Sequence, residues 1–162
     1  AHYMRTMTPS TLIERMMAIL PEMENGTTLE ASLTPENRKW LEAGIPALSE
    51  RAKTLVELWQ AADFVLAKRP IAMEDKALAL ASGENRDVLR AIVPILEAIS
   101  DWNHDNIDSA LRQFCDNHDL KLGKVAQPIR AALTGKASSP GAFDVLLMLG
   151  KDEALLRLSD RL

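Results

Sequence analysis

Apolar side chains recur in this sequence at intervals of three and four residues, and no stretch alternates apolar and polar residues as a half-buried strand would. Three pairs of a hydroxyl residue followed by proline mark helix starts, because the hydroxyl caps free amides and proline presets φ. These pairs are Thr8-Pro9, Thr34-Pro35 and Ser139-Pro140. The pattern predicts an all-α fold of roughly eight to nine short helices, arranged as two small packed helical bundles.

The same spacing predicts the helices of the first half of the chain. The first helix begins at Thr8 and is stopped by Pro21. A longer helix from Pro46 is predicted to carry one continuous apolar stripe, made of Leu48, Ala52, Leu55, Trp59, Ala62 and Leu66. The Arg69-Pro70 step ends this helix and is interpreted as a hinge between two subdomains, residues 1–69 and 70–162.

Six helices are predicted after the hinge. The first two lie near residues 75–81 and 84–100, and Pro94 should kink the second. The third begins near Asn103 and ends at His118, and the fourth passes through Val125 and is closed by Thr134-Gly135. Residues 140–149 and 152–162 form the last two.

Composition excludes several classes of protein. With 162 residues, 47% of them hydrophobic, the chain is long enough to bury a core. The formal net charge of −4 argues against a protein that binds nucleic acid over its whole surface. The single cysteine excludes an internal disulfide. Because no apolar run approaches the about 20 residues of a membrane span and no leader is evident, we expect a cytoplasmic protein without a membrane segment.

Few residues suggest catalysis. His2, His104 and His118 are scattered along the chain, and helix-end roles are favoured for the last two over acid–base or metal-binding roles. Cys115 follows Phe114 on a predicted helix, which is more typical of a small core residue than of a nucleophile. The seven glycines are dispersed and form no phosphate-binding loop. We therefore expect no catalytic residue, no metal ligand and no cofactor in this chain alone.

One segment departs from the average charge. Residues 120–143 contain Lys121, Lys124, Arg130 and Lys136 and no acidic residue, so a window of +4 lies in a background of −8. Such a window would confine any polyanion to one face. It also contains the loop 134–141, which leads into a predicted helix N-terminus and could offer backbone amides to phosphate or to an unpaired base. From charge alone, both RNA binding and a merely solvated face remain open.

The residues of this window resemble a known family. Residues 121–135 read KLGKVAQPIRAALTG, and residues 139–146 read SPGAFDVL, followed by LGK at 149–151. These strings are similar to the C-terminal signature of bacterial glutamyl-tRNA synthetases. The segment ERAKTL at 50–55, the Asp101-Trp102 pair and the initial His2-Tyr3 also resemble that family. The similarity covers nearly the whole chain.

This resemblance implies that the chain is the anticodon-binding part of a larger ligase. The parent enzyme would use ATP and Mg²⁺ to attach glutamate to tRNA-Glu, and non-discriminating members also charge tRNA-Gln. The two catalytic signatures of class I synthetases, His-x-Gly-His and Lys-Met-Ser-Lys-Ser, are absent from this sequence. We therefore expect an all-α monomer that binds tRNA and does not aminoacylate it. The alternative is a helical protein–protein interaction module without RNA binding.

The resemblance also implies which residues meet the anticodon. Lys124, Gln127 and Arg130 share one helical face at i, i+3 and i+6. The family's arginine at the position of Arg130 contacts an anticodon base. Pro128 and Gly135 are expected to shape the helix without touching RNA.

The family reads neighbouring bases with the corner that follows this helix. The matching residues of this chain are Ser139, Pro140, Gly141 and Ala142, although the family often has a bulkier residue than Ala142. An arginine in the first half of the chain selects against tRNA-Gln in this family. Arg51 is the best match for it and Lys53 the fallback, with an ordinary exposed helix charge as the other interpretation.

Overall fold

The computed structural model describes residues 6–162 and is helical through this range, with 73% of residues in helices and no strand. The prediction of an all-α fold is therefore confirmed. Ten α-helices are present between residues 6 and 162, and eight of them have seven or more residues. They are α1 (Pro9–Ile19), α2 (Gly26–Ser32), α3 (Pro35–Ser49), α4 (Leu55–Ala61), α5 (Asp63–Leu66), α6 (Asp75–Leu80), α7 (Glu84–Glu97), α8 (His104–His118), α9 (Leu122–Thr134) and α10 (Ala142–Ser159), with a short 3₁₀ turn at Leu20–Glu22.

The chain divides into two compact units, the first ending at Ala67 and the second comprising Lys68–Leu162. The predicted hinge at Arg69-Pro70, whose peptide bond is cis, lies just inside the second unit. Each unit buries its own apolar side chains. No helix in residues 6–162 is long and apolar enough to span a membrane.

The first unit is organised by threonine caps and one buried tryptophan. The Thr8 hydroxyl accepts a hydrogen bond from the Thr11 amide at 3.2 Å, as predicted for the start of α1. Thr34 and Asn37 cap α3 reciprocally. Trp59 is 1% exposed and donates its indole N–H to the Met16 carbonyl at 2.8 Å, which ties α4 to α1. Side-chain burial and a satisfied indole thus hold these helices together.

The predicted continuous helix from Pro46 to Leu66 is wrong. Pro46 lies inside α3, which ends at Ser49, and a turn separates it from α4 and α5. The Thr54 hydroxyl accepts from the Glu57 amide at 3.1 Å, and the Glu57 carboxylate accepts from the Lys53 amide at 2.6 Å. These hydrogen bonds between side chains and backbone compete with the main-chain hydrogen bonds of a continuous helix, and a new helix starts here. The apolar spacing nevertheless continues through the break.

The second unit is built on α7 to α10. Asn103 caps α8 through its side chain, and Gly135 ends α9 in the left-handed conformation, as predicted. The Lys151 ammonium group donates to the carbonyls of Glu97 and Ile99 at the end of α7. Buried side chains at Leu96, Ile129 and Leu146 contribute to the core of this unit.

The predicted start of the last helix at Ser139-Pro140 is also wrong. Ser139 is 4% exposed, and its hydroxyl donates to the Pro140 carbonyl instead of capping a helix. The helix begins at Ala142 after Gly141, which has no side chain with which to cap. The predicted division into two final helices is confirmed, because Gly150 separates two helical segments of α10 with a non-helical φ of 78° and ψ of 168°, which only glycine adopts readily.

Candidate nucleic-acid interface

The outer face of α9 carries three of the residues that sequence reasoning selected. Lys124 and Gln127 are exposed and Arg130 is half-buried, whereas Val125 and Ile129 on the opposite side are buried. The amphipathic spacing of α9 places the core residues inward and leaves the polar ones outward. One helix therefore brings together an ammonium group, an amide and a guanidinium group, which between them can meet phosphates and base edges.

Arg130 also holds the loop after its own helix. Its guanidinium Nη2 donates to the Ala137 carbonyl at 2.9 Å. The Thr134 hydroxyl donates to the Arg130 carbonyl at 2.8 Å and accepts from the Lys136 amide at 3.1 Å. The loop that begins at Gly135 is thus folded back against the C-terminal turn of α9. Because a guanidinium group has five N–H donors in a planar fork, Arg130 can hold this carbonyl and still present donors elsewhere.

Glu74 completes the anchoring of this loop and was not selected from the sequence. The Ala137 amide donates to the Glu74 carboxylate Oε1 at 3.2 Å. The Glu74 amide in turn donates to the Gly135 carbonyl at 2.8 Å. Glu74 and Ala137 are 63 residues apart, and no local pattern in the sequence connects them. The packing of α6 against α9 brings Glu74 and Ala137 together, so this pair is visible only in the tertiary structure.

Gly135 lies at the closest approach between the loop and the segment before α6. Its φ is 71°, and a Cβ atom added there would be 2.1 Å from the Ala72 carbonyl oxygen. An L-residue would therefore meet both backbone strain and a collision. The sequence predicted the helix stop at this position but not this close approach.

The corner at residues 139–142 is exposed only at its glycine. Ser139, Pro140 and Ala142 are buried, and Gly141 is exposed. Gly141 is also the N-cap of α10, with the Asp144 carboxylate in the first turn. This carboxylate already offsets the positive end of the helix dipole, which disfavours phosphate here. The corner is better suited to hydrogen bonds between the main chain at the exposed Gly141 and a neutral base edge.

An aromatic pair lies beside this corner. The rings of His104 and Phe143 have centroids 5.2 Å apart and are tilted by 47°. The His104 side chain is 58% exposed, and Phe143 is half-buried. His104 is the first residue of α8, which agrees with the predicted position at a helix end. Its contact with Phe143 joins α8 to the start of α10. Aromatic rings next to a corner of this kind provide surfaces on which bases can stack.

Arg51 and Lys53 lie in the first unit, in the turn between α3 and α4. Both side chains are exposed. Neither residue is inside a helix, since α3 ends at Ser49 and α4 begins after its N-cap residue, Thr54. The structure thus places the two candidate selectors in one turn of the first unit, whereas the α9 residues and the corner belong to the second.

The other residues considered for chemistry show no catalytic arrangement. Cys115 is buried, and burial, followed by the nearby charge of Asp116, raises the pKa of its thiol. A thiol held in its protonated form is a poor nucleophile. Between residues 6 and 162 no three side chains of the metal-ligating types cluster. His2 lies outside the described residues.

A sequence model of the anticodon binding domain family matches residues 11–162 of this chain. The chain is 46% identical over 160 residues to glutamate–tRNA ligase 2 of Brucella ovis, and equally to glutamate–tRNA ligase 1 of Brucella melitensis. These alignments cover 99% of this chain and 34% of each relative. The chain therefore spans about a third of the length of the curated relatives it matches.

The fold is also similar to solved structures. A glutamate tRNA ligase from Elizabethkingia meningosepticum, solved in complex with its amino acid, superposes with a TM-score of 0.74 at 21% identity. A glutamate–tRNA synthetase from Elizabethkingia anophelis gives a TM-score of 0.71 at 20% identity. Both alignments cover 99% of this chain, and 30% and 29% of the longer chains. None of these comparisons supports the alternative of a protein–protein interaction module.

Proposed function

We infer, because this chain belongs to the anticodon binding domain family, that it binds the anticodon loop of a tRNA through α9 and the loop that follows it. The observation that carries this assignment is the outward face of α9, where Lys124, Gln127 and Arg130 precede an anchored loop that leads to the exposed Gly141. Unpaired loop bases are read by planar guanidinium groups and by backbone donors and acceptors. All of these groups are present at this place.

The charge distribution supports RNA binding on one face. The +4 window of residues 120–143 includes the whole of α9 and the loop after it, whereas the remainder of the chain is at −8. Lys121 and Lys124 are exposed, and Arg130 and Lys136 are half-buried. Such a field attracts the phosphate backbone to α9 and repels it from the other surfaces.

We propose further that the chain is the anticodon-binding part of a glutamate–tRNA ligase. The 46% identity to two such ligases over 99% of this chain supports this assignment. The complete enzyme would attach glutamate to tRNA-Glu, act as a monomer in the cytoplasm, and use ATP and Mg²⁺. The residues of this chain do not fit ATP or Mg²⁺, because the sequence has no glycine-rich phosphate loop and residues 6–162 hold no metal-ligating cluster. No step of that reaction is therefore assigned to this chain.

Replacing Arg130 by alanine tests the proposed site. We expect the affinity for an anticodon stem-loop with the glutamate anticodon to fall by about 1–3 kcal/mol, or about 5- to 150-fold, because a base contact and the hold on the Ala137 carbonyl are both lost. Fluorescence anisotropy of a labelled stem-loop against the full 162-residue chain measures this change. Circular dichroism of the variant tests whether it remains helical.

Lys124→Ala is the matched control for Arg130→Ala, since it removes one positive charge from the same face of α9. A lysine that meets phosphate contributes equally to all sequences, so its loss should weaken glutamate and unrelated stem-loops alike. The slope of log K against log salt should fall by about 0.7 to 0.9, the value for one phosphate. If Arg130→Ala binds the glutamate loop as tightly as the wild type, the proposed role of Arg130 is wrong. If the affinity of the wild type for the stem-loop does not change with salt concentration, the proposed binding of RNA is wrong.

Discrimination between tRNA-Glu and tRNA-Gln is proposed to depend on Arg51, with Lys53 as the second candidate. Their exposed turn in the first unit supports a role in recognition, because both cationic side chains can reach outward from it. If the wild type prefers the glutamate loop, Arg51→Ala should lower that preference about tenfold, the value of one arginine base contact. Lys53→Ala should change it less. Equal binding of both loops by the wild type would instead indicate a non-discriminating enzyme.

A further inference from the structure

We propose that Glu74 is a positioning residue for RNA recognition, and that it acts by fixing the main chain of Ala137, in the loop between α9 and the corner at residues 139–142. This inference rests on the proposed function and assigns a residue that the sequence did not suggest. Glu74 itself need not touch RNA. It acts through the loop that Arg130 also holds.

Two charged side chains hold the main chain of Ala137. The Glu74 carboxylate Oε1 accepts from the Ala137 amide at 3.2 Å, and the Arg130 guanidinium Nη2 donates to the Ala137 carbonyl at 2.9 Å. Both interactions involve an ionised group, which makes them stronger than bonds between neutral groups. A half-buried loop residue is thereby anchored through both of its main-chain polar groups.

The Glu74 side chain does not cap the helix that begins after it. Glu74 is the N-cap residue of α6 with an extended backbone, yet its side chain makes no capping bond to that helix. Its carbonyl accepts from the Leu78 amide at 2.9 Å, as expected of a cap position, and its amide donates to the Gly135 carbonyl at 2.8 Å. The carboxylate is thus committed to the loop after α9, 63 residues away in the sequence.

This placement bears on recognition because of where Ala137 lies. It is two residues before Ser139, where the corner begins, and its carbonyl accepts a hydrogen bond from the Arg130 guanidinium. Releasing Ala137 frees both the loop and the side chain that is proposed to meet a base. Groups that are held before binding need not be ordered during binding, so their release weakens recognition without removing a contact.

The test compares Glu74→Ala with Glu74→Gln in the full chain. Glutamine can still accept the Ala137 N–H through its amide oxygen, whereas alanine cannot. We expect Glu74→Ala to bind the glutamate stem-loop about tenfold more weakly, and to lose part of its preference for that loop over an unrelated one. Glu74→Gln should recover most of the affinity. The salt slope should stay at the wild-type value, because Glu74 neutralises no phosphate.

Glu84→Ala is the control for loss of a carboxylate from the second unit. Glu84 is exposed at the first turn of α7, and its removal should leave both affinity and preference near the wild-type values. Hydrogen exchange of the Ala137 amide in the free protein should accelerate in Glu74→Ala, which tests the anchoring without RNA. Melting temperatures measured in parallel separate an effect on recognition from a loss of fold.

Each outcome decides one point. If Glu74→Ala binds and discriminates like the wild type, or if Glu74→Gln fails as badly as alanine, the positioning role of Glu74 is overturned. If the wild type binds no stem-loop, the proposed function fails and the positioning role fails with it. Unchanged exchange at Ala137 in Glu74→Ala would overturn the anchoring alone, and leave the proposed function standing.

Discussion

Replacement of Arg157 by alanine is expected to lower the free energy of unfolding by about 3 kcal/mol, the low end of the range for breaking a buried ion pair. Arg157 is 1% exposed on α10. Its Nε donates to the Glu153 carboxylate at 2.8 Å, and its Nη1 donates to the Leu133 carbonyl in the last turn of α9 at 2.9 Å. Alanine would leave a cavity and a buried carbonyl without this donor, and would strip Glu153 of its nearest cation.

The low end of that range is chosen because Glu153 has a second cation nearby. Its other carboxylate oxygen lies 3.7 Å from Arg69 Nε, and 13% of its side chain is exposed. Burial lowers the pKa of the Arg157 guanidinium, while the hydrogen bond and charge of Glu153 oppose that shift. The guanidinium group stays charged at neutral pH, since arginine is protonated throughout the ordinary range.

Arg112→Ala is the control for Arg157→Ala. Arg112 contacts both oxygens of Asp108 at 2.9 Å and 3.0 Å, but its side chain is 62% exposed. Because solvent screens an exposed pair, its loss should lower the free energy of unfolding by less than about 1 kcal/mol. Urea unfolding followed by circular dichroism measures both variants. Equal losses would show that burial of Arg157 adds nothing to its contribution.

We expect Gly135→Ala to lower the free energy of unfolding by about 2–5 kcal/mol and to weaken RNA binding as well. The left-handed conformation costs an L-residue about 1–2 kcal/mol, and forcing atoms into a packed site adds about 1–3 kcal/mol. The added Cβ would meet the Ala72 carbonyl oxygen at 2.1 Å and the Ile71 Cγ2 at 3.1 Å. The backbone must shift here, and such a shift moves the loop that Arg130 and Glu74 hold.

Gly123→Ala supplies the matched control, because Gly123 is in the first turn of α9 and a Cβ atom there would meet nothing within 4 Å. Alanine at that position should be neutral or should stabilise the chain by about 0.4–1 kcal/mol, since it restricts the unfolded state. The free energy of unfolding and the stem-loop affinity are measured for both variants. If Gly135→Ala is as stable as Gly123→Ala, the close approach to Ala72 does not constrain this loop.

Local signals account for the parts of the fold that sequence reasoning predicted. The Thr8, Thr34 and Asn103 caps and the Gly135 stop each act on groups within about four residues, so their meaning does not depend on the rest of the fold. The outward face of α9 is predictable for the same reason, because helical spacing alone separates Lys124 and Gln127 from Val125 and Ile129.

Where prediction failed, a stronger local or tertiary interaction overrode the pattern. The apolar stripe from Leu48 to Leu66 continues across a break that Thr54 and Glu57 create through side-chain bonds to the backbone. Ser139-Pro140 has the form of a helix start, yet burial turns the Ser139 hydroxyl to the Pro140 carbonyl and moves the start to Ala142. Periodicity reports which face is apolar, and it does not report where the backbone changes direction.

The sequence by itself determined the helical class of this protein, most of its helix ends and the exposed basic face of α9. Only the tertiary structure decided how the loop after α9 is held, through Glu74 from 63 residues away, and how α9 is tied to α10, through Arg157 and the Leu133 carbonyl 24 residues apart. Caps and spacing act between neighbours along the chain and can be recognised in any fold. Contacts between distant residues form only when packed helices bring them within hydrogen-bond distance, and nothing in their local sequence records that approach.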